Sequence, residues 1–232
     1  MPDIKIASLQ GQEFGAYCAM PAGGHGPGLI VIQEIFGVNK TMRQLCDDYA
    51  AQGYIAVCPD LFWRQEPGVQ LTDKTKEEWD HAFKLMNGLD TEATVRDLLS
   101  TLGSVRKMKG CNGKVGAVGY CLGGKLAFLM ATRSDVDAAV SYYGVGLDQY
   151  TDEIHDIRMP LMLHIAALDK FFPAEARERL IKSAARNAEI VPYVYEQADH
   201  AFARIGGEHY NAAAASLANG RTKEFFARYL QG

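Results

Sequence analysis

The chain has 232 residues, a net charge of −4 from 24 basic and 28 acidic side chains, and 48% hydrophobic content. That describes a single ordinary globular domain over residues 1–232, and because the charges are mixed along the chain, nothing recruits nucleic acid or an anionic membrane. The opening MPDIKIASLQ has no basic segment followed by an apolar one, and no apolar run approaches the roughly 20 residues of a membrane helix, so a cytoplasmic protein is expected.

In chain order, DIKIASL and QEFGAYCAM, joined by QGQ, predict an antiparallel hairpin. PAGGHGPG (21–28) reads as a flexible connector and LIVIQEI (29–35) as the first buried strand. NKTMRQLCDDYAAQ (39–52) predicts a helix stopped by Gly53, with YIAVCPDL as the next strand. Between Thr72 and Lys109 the apolar spacing predicts two amphipathic helices separated near Gly88, and Gly103 weakens the end of the second. KVGAVGY predicts a strand, LGGKLAFLMAT a helix, and AAVSYYG and PLMLHIAALD two further strands. Pro173 opens the helix PAEARERLIKSAARN, EIVPYVYE is the last strand, and residues 208–230 form the closing helix. Strands alternating with helices predict an α/β fold, a mostly parallel sheet with helices on both faces.

Five cysteines, Cys18, Cys46, Cys58, Cys111 and Cys121, are an odd number without a C-x-x-C pair, so neither a disulfide framework nor a metal site is expected. Cys121 differs from the rest. Gly119-Tyr120-Cys121-Leu122-Gly123 lies between a predicted strand and a predicted helix and spells the G-x-nucleophile-x-G elbow, with cysteine where serine is commoner. A strand reversing into a helix so sharply strains the nucleophile's backbone and leaves no room for side chains two positions away. The helix N-terminus beyond it favours a thiolate, and the Leu122 amide can face an oxyanion. Two rival readings exist. Gly119 to Lys125 also spells G-x-x-x-x-G-K, but a phosphate loop needs Ser or Thr next, where Leu126 stands. Cys121 can also be an ordinary buried cysteine, the reading given to the other four.

A thiol nucleophile needs a base, and the base needs an orienting acid; in an elbow fold these follow in the order acid, then histidine. Asp169 ends a predicted strand and His200 lies just beyond the last one. The plainer readings are a helix cap near Pro173 and a solvated loop histidine. The other histidines fit less well: His164 is inside an apolar strand, His81 and His209 lie on predicted helix surfaces, His25 is in a glycine loop, and His155 precedes the acid.

QEIFGVN (33–39), CPDLFWRQEPG (58–68), GYCLGG (119–124), SYYGVGL (141–147), Asp169 and DHAFAR (199–204) together closely resemble the dienelactone hydrolase (carboxymethylenebutenolidase) family over nearly the full length. The resemblance implies a compact α/β-hydrolase fold without a large lid domain and a Cys-Asp-His triad of Cys121, Asp169 and His200. It also implies an oxyanion hole from the amides of Leu122 and Ile35, with no cofactor and no metal. Glu34, which from sequence alone also reads as a structural partner for an arginine, would interact with the resting thiol. The implied substrate is a small unsaturated lactone bearing a carboxylate, formed in the breakdown of aromatic compounds and opened to maleylacetate, with Arg204 holding the carboxylate. The family's second arginine falls at Trp79, and Ala201 stands where a serine can follow the histidine. Trp79, Phe36, Phe83, Phe171, Phe172, Tyr142 and Tyr143 are candidates for an apolar substrate wall, or simply for core. The alternative function is a non-catalytic small-molecule binding protein of the same fold. The sequence gives no oligomeric state.

Overall fold

A computed structural model of the chain describes residues 3–232. Its strands are β1 (Asp3–Ala7), β2 (Glu13–Ala19), β3 (Gly26–Ile32), β4 (Ile55–Pro59), β5 (Cys111–Tyr120), β6 (Ala138–Tyr142), β7 (Leu161–Ala166) and β8 (Ile190–Tyr195). They stand in the order β1-β2-β4-β3-β5-β6-β7-β8. β1 runs antiparallel to β2 and β2 to β4, as the hairpin reading expects, whereas β3 with β4, β6 with β7 and β7 with β8 are parallel. The fold is α/β with a mostly parallel sheet. The chain gathers into two compact units that divide between Gly116 and Ala117, inside β5.

In the first unit, α1 (Lys40–Ala51), α2 (Lys76–Asn87) and α3 (Thr91–Arg106) begin where side-chain oxygens meet otherwise unbonded amides. Asn39 Oδ1 accepts from Met42 N at 3.1 Å, Thr75 Oγ1 from Glu78 N at 3.2 Å and Asp90 Oδ1 from Ala93 N at 3.0 Å. Each cap contributes about 1 kcal/mol. α1 buries Met42, Cys46, Tyr49 and Ala50 at helical spacing and packs on β2, β3 and β4. α3 packs on β1, β3 and β4 and continues through Gly103 to Arg106. One expectation is corrected: β3 starts at Gly26, so the last three residues of the supposed connector, Gly26 to Gly28, are strand. The reason is close packing, since a Cβ on Gly28 would lie 2.3 Å from Val105 Cγ1 and 3.0 Å from a Val115 methyl. β3 also ends at Ile32, so Gln33 and Glu34 follow the strand instead of closing it.

The second unit carries α4 (Leu122–Arg133), a 3-10 helix (Leu147–Asp156) that the sequence reading left unassigned, α5 (Ala174–Ala184), α6 (Ala212–Phe226) and a π turn (Ala227–Gln231). α4 is apolar nearly all round, buries Leu122 to Leu126 apart from Lys125 and then Ala127 to Ala131, and packs on β6. Pro173 stands at the N-cap of α5. The closing helix begins at Ala212 and not at residue 208, because Asn211 Oδ1 caps it by accepting from Ala214 N. His209 therefore lies in the turns before α6 and not on a helix face.

Buried His164 on β7 ties α6 to the strands. Arg221 Nη1 donates to Tyr195 Oη at 3.1 Å, Tyr195 Oη lies 2.8 Å from His164 Nδ1, and His164 Nε2 lies 2.9 Å from Thr222 Oγ1. Thr222 Oγ1 meets Tyr142 Oη at 2.7 Å, and Tyr142 Oη donates to Asn219 Oδ1 at 3.0 Å. One direction of donation satisfies every member: Arg221 to Tyr195 to His164 Nδ1, then His164 Nε2–H to Thr222 to Tyr142 to Asn219. Burial, aided by the Arg221 charge, lowers the His164 pKa to about 3, so the ring is neutral. Among the described residues no helix is long and apolar enough to cross a membrane, and no cluster has the makings of a metal site.

Candidate active site

Tyr120 ends β5, Leu122 starts α4, and Cys121 alone makes the turn, with φ 57° and ψ −114°. Such a conformation costs a non-glycine residue on the order of 1–3 kcal/mol and persists only where its surroundings enforce it. Here the enforcement is visible. Cys121 N donates to Tyr142 O at 3.1 Å and Lys125 N to Cys121 O at 3.2 Å. A Cβ on Gly119 would lie 1.9 Å from Gly123 O, which is why the elbow needs glycine there. The Cys121 side chain makes no cap hydrogen bond to α4, whose positive end lies beside it.

Asp169 lies three residues past β7 and is 4% exposed. Its Oδ1 accepts from Phe171 N at 2.8 Å and its Oδ2 meets His200 Nδ1 at 2.7 Å. Asp169 does not cap α5, whose N-cap is Pro173 with no side-chain cap bond; one of its oxygens braces the local turn and the other meets the histidine. His200 is 8% exposed, not a solvated loop residue, and its own N–H donates to Asp199 Oδ1 at 2.6 Å. The Tyr143 and Phe171 rings stand edge-on to the imidazole at 5.3 and 4.9 Å. Among the described residues, the non-glycine positions with positive φ are Cys121, Tyr143 (38°) and Ala201 (62°), so backbone strain collects at the cysteine and around the histidine.

Burial alone would push the His200 proton off. The charge of Cys121, hydrogen bonds to Asp169 and Cys121, and the Asp169 charge outweigh it and raise the pKa to about 10. His200 is thus coupled electrostatically to Cys121 on one side and to Asp169 on the other. One helical turn along, half-buried Lys125 has its pKa lowered by burial against the opposing pull of the Cys121 charge.

The model of the dienelactone hydrolase family matches residues 14–230. The chain belongs to that family. It is 53% identical to a protein of Azospirillum brasilense provisionally named a carboxymethylenebutenolidase, over 99% of this chain and 100% of the relative. It is 42% identical to the carboxymethylenebutenolidase of Pseudomonas putida, over 97% of this chain and 95% of the relative. A crystal structure from Klebsiella pneumoniae, provisionally named a dienelactone hydrolase, superposes with a TM-score of 0.85 at 29% identity, covering 98% of each chain. Membership makes the protein a hydrolase, as the leading reading has it, and sets aside the alternative of a non-catalytic binding protein.

The other expected site residues fall as follows. In the first unit, Glu34 is 5% exposed and Ile35 and Phe36 form the turn after β3. Trp79 stands edge-on to Phe36 at 4.9 Å and tilted to Phe83 at 5.5 Å, with its Nε1 donating to Asp73 O at 3.1 Å. These three aromatics form one packed cluster. In the second unit, half-buried Arg204 lies in the turns after His200, its side chain folded close over Gly207. Phe171 is exposed and Phe172 buried. Tyr142 is corrected: it is fully buried, stacked on Tyr120 at 4.8 Å, and its hydroxyl is committed to Thr222 and Asn219, so it belongs to the core. Asp199 and Lys125 were not singled out from sequence. The acid preceding the histidine in ADHAF and a cation in the first turn of an apolar helix were the signals available.

Proposed function

We propose that the protein hydrolyses a small unsaturated lactone or related ester through a Cys121-His200-Asp169 triad and a covalent acyl-enzyme. The observation that carries this reading is the coupling of His200 to Cys121 on one side and, at 2.7 Å, to Asp169 on the other. The Cys121 thiolate attacks the lactone carbonyl, an S–C bond forms, and the ring C–O bond breaks with its electrons leaving as an enolate. His200 supplies the proton that the leaving group takes up, then accepts one from the water that attacks the thioester; the S–C bond breaks and the carboxylate product departs. Asp169 keeps the imidazole in the tautomer and orientation that this two-way traffic needs.

The Leu122 amide, at the positive end of α4, supplies one oxyanion donor. Resemblance alone carries four further assignments: the Ile35 amide as second donor, Glu34 as the group that holds the thiol at rest, Arg204 as partner of a substrate carboxylate, and dienelactone from aromatic degradation as substrate. Phe36, Trp79 and Phe83 in the first unit, and Tyr143 in the second, are each candidates for an apolar substrate wall, and Trp79 in place of an arginine weakens the grip on an acidic lactone. We read residues 1–232 as one α/β-hydrolase domain, since the family model runs through both compact units. Five free thiols fit a reducing cytoplasm.

The test is loss of dienelactone ultraviolet absorbance with the native enzyme beside Cys121→Ala. Turnover that the substitution abolishes supports mechanism and substrate together. No turnover by folded native enzyme rejects dienelactone, and esterase activity that survives Cys121→Ala rejects the triad.

A further inference from the structure

Ser141, on β6 opposite Leu163 of β7, is 1% exposed, and its Oγ has no hydrogen-bond partner among the described residues. A buried hydroxyl left unbonded costs on the order of 1–3 kcal/mol, so native structures seldom keep one. The position is held tightly: a Cβ on Gly144 would come within 2.7 Å of Ser141 Oγ. Ser141 borders an internal cavity of about 10 Å³ shared with Gly144, His164, Phe172 and Asp169. The rest of the lining is largely apolar, Leu147, Leu163 and Ile165 among it, but Ser141 and Asp169 both border the space, and its volume is room for the centre of one water molecule between them. Both ring nitrogens of His164 are already engaged with Tyr195 and Thr222. Asp169 is not saturated: each of its oxygens accepts one bond described above, and a carboxylate offers about four acceptor sites.

We propose that one ordered water occupies this cavity, accepting from Ser141 Oγ–H and donating to the Asp169 carboxylate. Ser141 is thereby a positioning residue for the orienting acid of the triad, acting through the water and not on the substrate. The inference rests on the triad reading above. A third donor fixes the plane of the Asp169 carboxylate, which already braces Phe171 and His200, and so fixes the azimuth of the imidazole toward Cys121.

The substitution Ser141→Ala decides it, because the two states of the hydroxyl predict opposite signs. If the hydroxyl holds the water, the variant unfolds at lower urea concentration and its ester-hydrolysis kcat falls about tenfold with KM unchanged, the loss of one hydrogen bond to a charged group. A crystal structure of the native protein at better than about 1.5 Å then shows density within hydrogen-bond distance of Ser141 Oγ and Asp169. If the cavity is dry, removing an unbonded hydroxyl raises stability and leaves kcat as it was; that result, or native density without the water, overturns the proposal. Asp169→Asn in the same series separates the two claims. Native kcat in Asp169→Asn overturns the triad, and the water's catalytic role with it. Activity lost in Asp169→Asn but kept in Ser141→Ala overturns the water alone.

Discussion

Consider an alanine at Gly119. Its methyl carbon would lie 1.9 Å from Gly123 O, 2.3 Å from Gly123 C and 2.9 Å from Gly124 N. Real Cβ atoms essentially never approach a neighbour closer than 3.0 Å, so the first contact is short by 3.0 − 1.9 = 1.1 Å. The atoms opposing it are backbone of the first turn of α4, which cannot rotate aside as a side chain would. Either the end of β5 or the start of α4 must shift by about an ångström, and Cys121 lies between them. A displacement of that size costs roughly 10²-fold in rate when it separates nucleophile from base, and overpacking of this kind costs about 1–3 kcal/mol. Gly103→Ala is the matched control: nothing lies within 4 Å of its Cβ position, and it sits inside α3, so the added methyl should stabilise by roughly 0.5–1 kcal/mol. The assays are kcat/KM on a chromogenic short-chain ester and urea unfolding of both variants. Native kcat/KM and native stability in Gly119→Ala would refute the account of the elbow.

Asp169→Asn keeps the Phe171 brace but cannot hold His200 in the required tautomer; kcat should drop by roughly 10²–10⁴ with the fold intact by circular dichroism. His164 makes stability fall in acid. The unfolded state takes up a proton near the ordinary histidine pKa of 6.5 while the folded state resists until about 3, so stability is full above 6.5 and declines as pH falls toward 3, by about 1.4 kcal/mol per pH unit. His164→Gln should remove that slope; urea titrations at pH 6.5 and 5 showing equal slopes in variant and native protein would count against a neutral buried ring. Trp79→Arg should raise turnover of an acidic lactone relative to a neutral ester, measured as a ratio of kcat/KM values, and an unchanged ratio removes Trp79 from the specificity argument.

The chemistry-bearing part of the site was legible because it is written in local sequence. The glycines around Cys121 are steric necessities of one turn, and Asp169 and His200 fall just past strands whose apolar runs are plain. What escaped notice depends on groups far apart in the chain. His164 looked like an apolar-strand residue until Thr222 of α6, 58 positions on, supplied its partner. Tyr142 and Tyr143 are neighbours in sequence, yet one faces that core chain and the other the imidazole, and periodicity does not say which is which. Gly28 reads as slack in the sequence, yet it lies inside β3 and lets Val105 and Val115 approach, a contact invisible without the helix above it.

The bond between Tyr142 and Thr222 spans 80 positions, and through Tyr142 O it reaches the strained amide of Cys121. A ribosome adding roughly 5–20 residues per second would take about 4–16 s between synthesising those two residues. Throughout that interval the Tyr142 hydroxyl lacks its anchor, so the residue whose carbonyl holds the strained Cys121 amide is secured only once α6 has emerged. A transcript cut short before Asn219 would yield a polypeptide with all eight described strands but without the two side chains that anchor the Tyr142 hydroxyl.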